Sequence, residues 1–225
     1  MTTDKPTIAV VGGTGNLGWA LARRWAKAGY PVIIGSRDAA KAEAEASRLN
    51  GQLASPAMRG ASNGEAARQA DIIVVTVPFA SQAAILEDIR PMVAGKLVVD
   101  TTVPLMPPKV ARVQLPPEGC AALVAQRMLG DDAQLVSAFH NVAAHKLATD
   151  DNVDCDVLIF GDQKAARARV VALAEAAGLR GLHAGPLANS AAAEALTSVM
   201  IFINKNYAAD GAGICITGSI AQLVD

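Results

Sequence analysis

Seven residues, Gly12-Gly-Thr-Gly-Asn-Leu-Gly18, follow directly on the apolar run Ile8–Val11 and lead into an alanine-rich segment. They contain the spacing Gly13-x-Gly15-x-x-Gly18. A strand that passes through such a turn into a helix is the setting in which this spacing signals dinucleotide binding. Gly13 permits the tight turn, Gly15 lets backbone approach a pyrophosphate with no Cβ in the way, and Gly18 lets the helix pack closely on the sheet. The helix start then offers free N–H groups and a partial positive charge to phosphates.

The rest of the chain repeats this alternation. Strands are predicted at 8–11, 32–34, 71–77, 97–99 and 135–139, with a weak third strand inside an irregular link at 50–60. Helices are predicted at 17–28, 39–49, 64–70 (capped by Ser62 or Asn63), 81–89 and 118–129, and the proline-rich 101–117 reads as loop. Continuously apolar strands imply burial on both sheet faces, and strand–helix alternation implies right-handed crossovers. The expected fold is a doubly wound, mostly parallel Rossmann sheet over 1–145. A smaller C-terminal α/β domain over 146–225 has a strand at 157–160, a helix at 163–177, a strand near Leu182 and a helix at Ser190–Tyr207.

Composition removes other classes. The 225 residues carry 20 Lys+Arg against 21 Asp+Glu, a net charge of −1, so no basic face for nucleic acid or a membrane surface is expected. With 52% apolar residues the chain can build a core. Apolar runs such as 199–203 fall short of the roughly 20 residues of a span, so no transmembrane helix is expected. The N-terminus has no basic head or apolar signal core, which points to the cytoplasm. Cys120, Cys155 and Cys215 are too few and too dispersed for a disulfide framework or a zinc site and read as buried free thiols.

The second strand chooses the cofactor. NAD enzymes place Asp or Glu at its tip to hold the ribose 2′-hydroxyl. Here the tip is Gly35-Ser36-Arg37, so a 2′-phosphate meets no carboxylate, Arg37 can give it forked hydrogen bonds, and Ser36 can donate another. Lys41, one turn into the next helix, can lean back to the same phosphate, while Asp38 caps that helix. NADP is therefore the expected cofactor. Val77 and Pro78 close the fourth strand and would line the ribose–nicotinamide path beyond the strand ends, and Val103-Pro104 follows the next strand in the same way.

At this point the sequence resembles the NADPH-dependent reductases of coenzyme F420, the 8-hydroxy-5-deazaflavin hydride carrier. The resemblance rests on the glycine turn, on Gly35-Ser-Arg37 with Lys41, on Val136-Ser-Ala-Phe-His140, and on Ala184-Gly-Pro-Leu-Ala-Asn-Ser190 followed by Glu194-Ala-Leu-Thr197. It implies a homodimer and direct hydride transfer between NADP(H) and F420. Carried over by position, Thr14, Gly15, Asn16, Leu17, Ser36, Arg37 and Lys41 hold NADP. Val77, Val103 and Ala144 lie near its nicotinamide half, and His140, Asn141 and Val142 border the deazaflavin ring. Three positions depart from the family: the run His140-Asn-Val-Ala-Ala-His145, Phe79 where tryptophan is common, and Lys205 in place of arginine. All three lie on the acceptor side.

Hydride transfer between two heterocycles needs stacked rings and excluded water rather than a nucleophile or a metal. The absence of a recognisable catalytic constellation agrees with that, and no metal site is expected. His140 can hydrogen-bond the acceptor ring or serve structurally at a strand end. His145 and His183 read as structural, and Asp154 and Asp156 as turn residues. Gly185–Ser190 is expected to cap the last helix through Asn189 or Ser190, with Glu194 in the following turn; the alternative is a helix end that faces the cleft between domains and binds an anionic tail or receives the partner subunit. The glycine-containing stretch 208–220 fits either a mobile arm or a lid. Two other functions stay open: reduction of a flavin or ferric chelate by NADPH, and NADP sensing without catalysis.

Overall fold

Strands made apolar along their whole length must be covered on both faces, and the computed structural model, which describes residues 5–53 and 58–220, shows how. Six parallel strands form one sheet: β1 (Ile8–Val11), β2 (Val32–Ser36), β3 (Met58–Ser62), β4 (Ile72–Val75), β5 (Leu97–Asp100) and β6 (Gln134–Ser137). Their order is β3-β2-β1-β4-β5-β6. Val11 is in register with Gly35 on one side and Val75 on the other, so the carboxyl ends of the three central strands are level. The order reverses between β1 and β4, and a crevice opens at such a switch point.

Helices α1 (Asn16–Lys27), α2 (Ala39–Asn50), α3 (Asn63–Gln69), α4 (Phe79–Ile89) and α5 (Ala121–Leu129) link these strands or cover them. Beyond β6 come α6 (Ala144–Leu147), β7 (Asp156–Ile159), α7 (Lys164–Ala176), β8 (Arg180–His183) and α8 (Ser190–Tyr207). β7 and β8 form a separate parallel pair, joined to β6 by an antiparallel bridge between Ser137 and Phe160. One apolar core runs from Ile8 and Trp25 through Phe139 to Val157, Val170 and Leu179. The Trp25 indole donates to the Leu173 carbonyl at 2.8 Å, and the Arg24 guanidinium donates to the carbonyls of Leu147 and Ala177 at 2.8 Å each.

Several expectations are corrected. β6 stops at Ser137 rather than at 139, because Phe139 takes φ +66° and turns its buried ring edge-on to Trp25, 6.0 Å away. The third strand lies at Met58–Ser62; residues 54–57 of the expected link are outside the described residues, as are residues 1–4 of the N-terminus. α4 begins at Phe79, directly after Pro78, whose fixed φ suits a helix entry. The short helix α6 was not expected. Cys120 and Cys155 are buried but Cys215 is exposed. Asp156 is no turn residue: it opens β7, takes both oxygens to Arg180 at 2.6 Å each, and accepts the Ile216 N–H at 2.6 Å. With Asp156 N–H donating to the Ile214 carbonyl at 2.7 Å, these bonds tie the C-terminal arm to β7. By length and composition alone the 21 residues Leu187–Tyr207 would suffice to cross a membrane, contrary to expectation. In the fold this segment buries Ser190, Ala193, Glu194, Ser198 and Met200.

Candidate functional site

The turn after β1 is held tightly. Gly12 has φ +75°, a region that side-chain-bearing residues rarely adopt, so Gly12 rather than Gly13 supplies the conformational freedom. A Cβ on Gly13 would meet the Val10 carbonyl at 2.7 Å, and a Cβ on Gly18 would meet Thr76 Oγ1 at 2.4 Å. Gly13 is thus set by the fold of the turn back onto β1 and β2, and Gly18 by helix–sheet packing. A Cβ on Gly15 would meet only the carbonyl oxygens of Gly12 at 3.4 Å and Thr76 at 4.0 Å, both ordinary contacts. The protein's own packing does not require glycine at 15. Asn63, read as a candidate cap, instead accepts the Gly12 N–H at 3.3 Å, and Ser62 caps α3.

α1 starts at this turn with no side-chain cap and no acidic residue in its first turn. Its orphan N–H groups and dipole therefore face the crevice uncompensated. A cleft of about 360 Å³ opens there, bordered by Thr14, Gly15, Ser36, Arg37, Lys41 and Val77, among others. Pro78, Thr76 and Asn63 line it too. Asp38 caps α2 as expected, accepting the Lys41 N–H at 3.2 Å. Arg37 and Lys41 are exposed, and neither side chain makes a hydrogen bond or ion pair among the described residues. Two cations without a partner among the described residues thus stand beside a bare helix N-terminus, a combination whose chemistry suits phosphate.

A second hollow, of about 530 Å³, shares Thr14 and Gly15 with the first and adds Asn16, Trp19, Ala144 and His145. A third, of about 210 Å³, shares His145 and is bordered by His140, Asn141, Val142, Thr197 and Gly211. The three hollows form a series from Arg37 to His140. The structure thus gathers Thr14, Gly15, Asn16, Ser36, Arg37, Lys41, Val77, Pro78 and Ala144 on one side and His140, Asn141 and Val142 on the other. Three expected residues stand apart. Gly13 is buried beneath the turn, Leu17 packs its side chain against the core, and Val103 lies in the loop after β5 outside all three linings. Lys205 is exposed on α8, also outside them.

His140 is anchored by residues that the sequence reading gave other roles. Its Nε2 lies 2.7 Å from Ser137 Oγ, which lies 2.8 Å from Ser190 Oγ, which in turn donates to Glu194 Oε1 at 2.8 Å. Glu194 accepts the N–H groups of Ala121 at 2.6 Å and Ala122 at 3.1 Å, so this carboxylate of α8 caps α5 rather than its own helix. Asn189 caps nothing and donates to the Ala184 carbonyl. Burial pushes the Glu194 carboxyl up to about 7 and holds the His140 imidazole down at about 3, leaving that ring neutral. Asp100, fully buried and bonded to Thr102 and Gln82, is pushed up to about 6 by the same cause. The one sequence signal for this cluster is a glutamate in an otherwise apolar turn, four residues after a serine. His145 pairs with Asp210 at 2.9 Å, and His183 accepts from Arg167 at 3.3 Å.

Comparison with known proteins points to one family. Residues 7–104 match the family model described as NADP oxidoreductase, coenzyme F420-dependent. The chain is 39% identical over 219 residues to the F420-dependent NADP reductase of Methanothermobacter thermautotrophicus, covering 93% of this chain and 94% of the relative. It is 36% identical over 219 residues to the protein of the same description from Methanocaldococcus jannaschii, covering 93% and 97%. A crystal structure from Arthrobacter sp. fb24, described as an F420-dependent NADP reductase, superposes with a TM-score of 0.78 at 27% identity, covering 95% of this chain and all of that one.

Proposed function

The chain belongs to the family of F420-dependent NADP reductases, and from that premise we infer that it moves a hydride between NADP(H) and the deazaflavin coenzyme F420 while both are bound. The bare N-terminus of α1 beside the unpaired Arg37 and Lys41 carries this reading. Arg37 and Lys41 grip the 2′-phosphate, with Ser36 donating to it. The N–H groups of Thr14, Asn16 and Leu17 receive the pyrophosphate, while Gly15, whose own N–H donates to the Gly12 carbonyl at 3.0 Å, offers a surface with no Cβ; for Leu17 only the backbone serves, since its side chain lies in the core. Val77, Pro78 and Ala144 shape the path to the nicotinamide, and Val103 flanks that path from the β5 loop.

The hydride would pass between the nicotinamide and a ring carbon of F420, in either direction. The protein contributes orientation and exclusion of water. His140, Asn141 and Val142 hold the acceptor ring, and Asn141 is itself fixed by donating to Ala193 O and Thr197 Oγ1, both at 2.9 Å. Labour divides near residue 145: residues 1–145 bind NADP, and residues 146–225 complete the acceptor site and contact a second copy of the chain in the cytoplasm. The apolar face of α8, with Val199, Phe202, Ile203 and Tyr207 exposed, supports the homodimer.

The test mixes pure protein, NADPH and oxidised F420 and follows loss of the deazaflavin absorbance, with a free flavin and a ferric chelate alongside. Rapid loss with F420 alone supports the reading. Loss only with flavin or chelate would move the protein to another acceptor, and binding of NADPH without oxidation of it would make the chain a sensor.

A further inference from the structure

The buried chain of hydroxyls behind His140 has a direction, and that direction can reverse. When Glu194 is ionised it can only accept, so Ser190 donates to Glu194, Ser137 donates to Ser190, and His140 donates Nε2–H to Ser137. Nδ1 then carries no proton. When Glu194 holds a proton on Oε1, every bond turns round: Glu194 donates to Ser190, Ser190 to Ser137 and Ser137 to Nε2. Nδ1 then carries the hydrogen. Nδ1 has no partner among the described residues, yet it is not sealed from solvent. All four residues are buried, and His140 lines the hollow that adjoins the nicotinamide path.

We propose that Ser137, Ser190 and Glu194 form a proton relay that sets the tautomer of His140, and that His140 hands its Nδ1 proton to the acceptor ring as hydride arrives. The idea rests on the functional reading above. Hydride brings two electrons and one hydrogen to a ring carbon and leaves a negative charge on the conjugated heteroatoms. His140 Nδ1–H breaks and the proton joins that heteroatom. Nε2 takes the Ser137 proton, Ser137 takes that of Ser190, and Ser190 takes that of Glu194, which ends as the carboxylate. The acceptor gains one hydride and one proton, and Glu194 is recharged from solvent between turnovers.

The surroundings suit a group that changes charge near neutrality. Burial and Asp100 at the end of β5 disfavour the carboxylate, and the Ala121 and Ala122 N–H groups and the Ser190 hydroxyl favour it. The Cys120 thiol before α5, pushed up to about 11 by burial and by Glu194, stays protonated and brings no charge. From the loop after β7, Asp162 accepts the Leu187 N–H at the foot of α8. Among the described residues no lysine or arginine bonds to any member of the relay. His140 stays neutral throughout this range, so a tautomer change is not masked by protonation of the ring.

The chain has three histidines, so ¹⁵N-resolved imidazole spectra of the unliganded protein are tractable, with His140→Ala assigning the signal. Wild type should pass from Nδ1–H at pH 5.5 to Nε2–H at pH 8.5. Glu194→Gln, whose amide does not titrate, should hold a single tautomer throughout. With NADPH and F420 it should turn over about 10–100-fold more slowly, with a flattened pH profile near neutrality. Ser190→Ala, which keeps the carboxylate on Ala121 and Ala122, should abolish the tautomer change. A wild-type tautomer constant from pH 5.5 to 8.5 overturns the relay, and it does so even if Glu194→Gln fails to fold. A pH-dependent tautomer together with no F420 turnover would preserve the relay and overturn the functional reading instead.

Discussion

The two ends of the crevice are built on opposite plans. The nucleotide end is contiguous: Gly12 to Gly18 and Ser36 to Lys41 each form one turn, their backbone does much of the work, and the cations lie open to water. The acceptor end is assembled at long range. Ser137 meets Ser190 across 53 positions of sequence, and Glu194 reaches Ala121 across 73. It is buried, neutral or near its titration point, and made of side chains. A phosphate needs charge that water leaves accessible, whereas a ring receiving hydride needs dry, fixed polar groups whose protonation can change.

The sharpest break between the two ends comes from His140→Ala. Turnover with F420 should fall by about 10²–10³-fold, in the range of general acid catalysis, while NADPH affinity by calorimetry stays within about twofold. A joint loss of both would mean that the ends are not separable.

Next in size is a difference in stability. The folded Glu194 carboxyl keeps its proton up to about pH 7, against 4.5 when free. Between these values the unfolded chain binds fewer protons than the folded one, so this group's contribution to stability shrinks as pH rises. Glu194→Gln, which does not ionise, should therefore gain on wild type across that window. The gain amounts to about 3 kcal/mol at most by denaturant melts, at roughly 1.4 kcal/mol per pKa unit. A constant difference from pH 4.5 to 7 would show the carboxylate to be comfortable where it is.

At the nucleotide end, Arg37→Ala should weaken NADPH by about 100-fold, equal to about 2.7 kcal/mol, and leave NADH unchanged. Lys41→Ala should do the same to a lesser degree. The glycines sharpen the comparison within one turn. Gly18→Ala drives a methyl into Thr76 Oγ1 and Gly13 Cα and should cost about 1–3 kcal/mol of stability. Gly15→Ala should leave the melting temperature in place and weaken only dinucleotide binding, because its Cβ meets nothing closer than 3.4 Å.

This contrast also explains what could be read from sequence. The sheet, its parallel strands and the crevice position follow from local periodicity and one glycine turn, both of which are short-range signals. Arg37 was legible because the strand tip itself selects the 2′ group. The acceptor side was legible only in outline. Nothing near Glu194 in sequence announces that it caps α5, since its partners lie more than 70 residues away. Its local spacing from Ser190 instead imitates a cap of its own helix. Asp156 misled in the same way, because Arg180 and the Ile216 N–H come from later in the chain. Phe139 ended β6 early for a tertiary reason, the Trp25 ring, which strand propensity does not contain.

Calorimetric titration of the unliganded wild-type protein with NADP and, separately, with NAD tests the crevice most directly. Binding of NADP about 100-fold tighter than NAD, with the advantage removed in Arg37→Ala, is the expected result. Equal affinities, or no heat on adding NADP, would contradict the assignment of the Gly12 turn and the Arg37 tip to a phosphorylated dinucleotide.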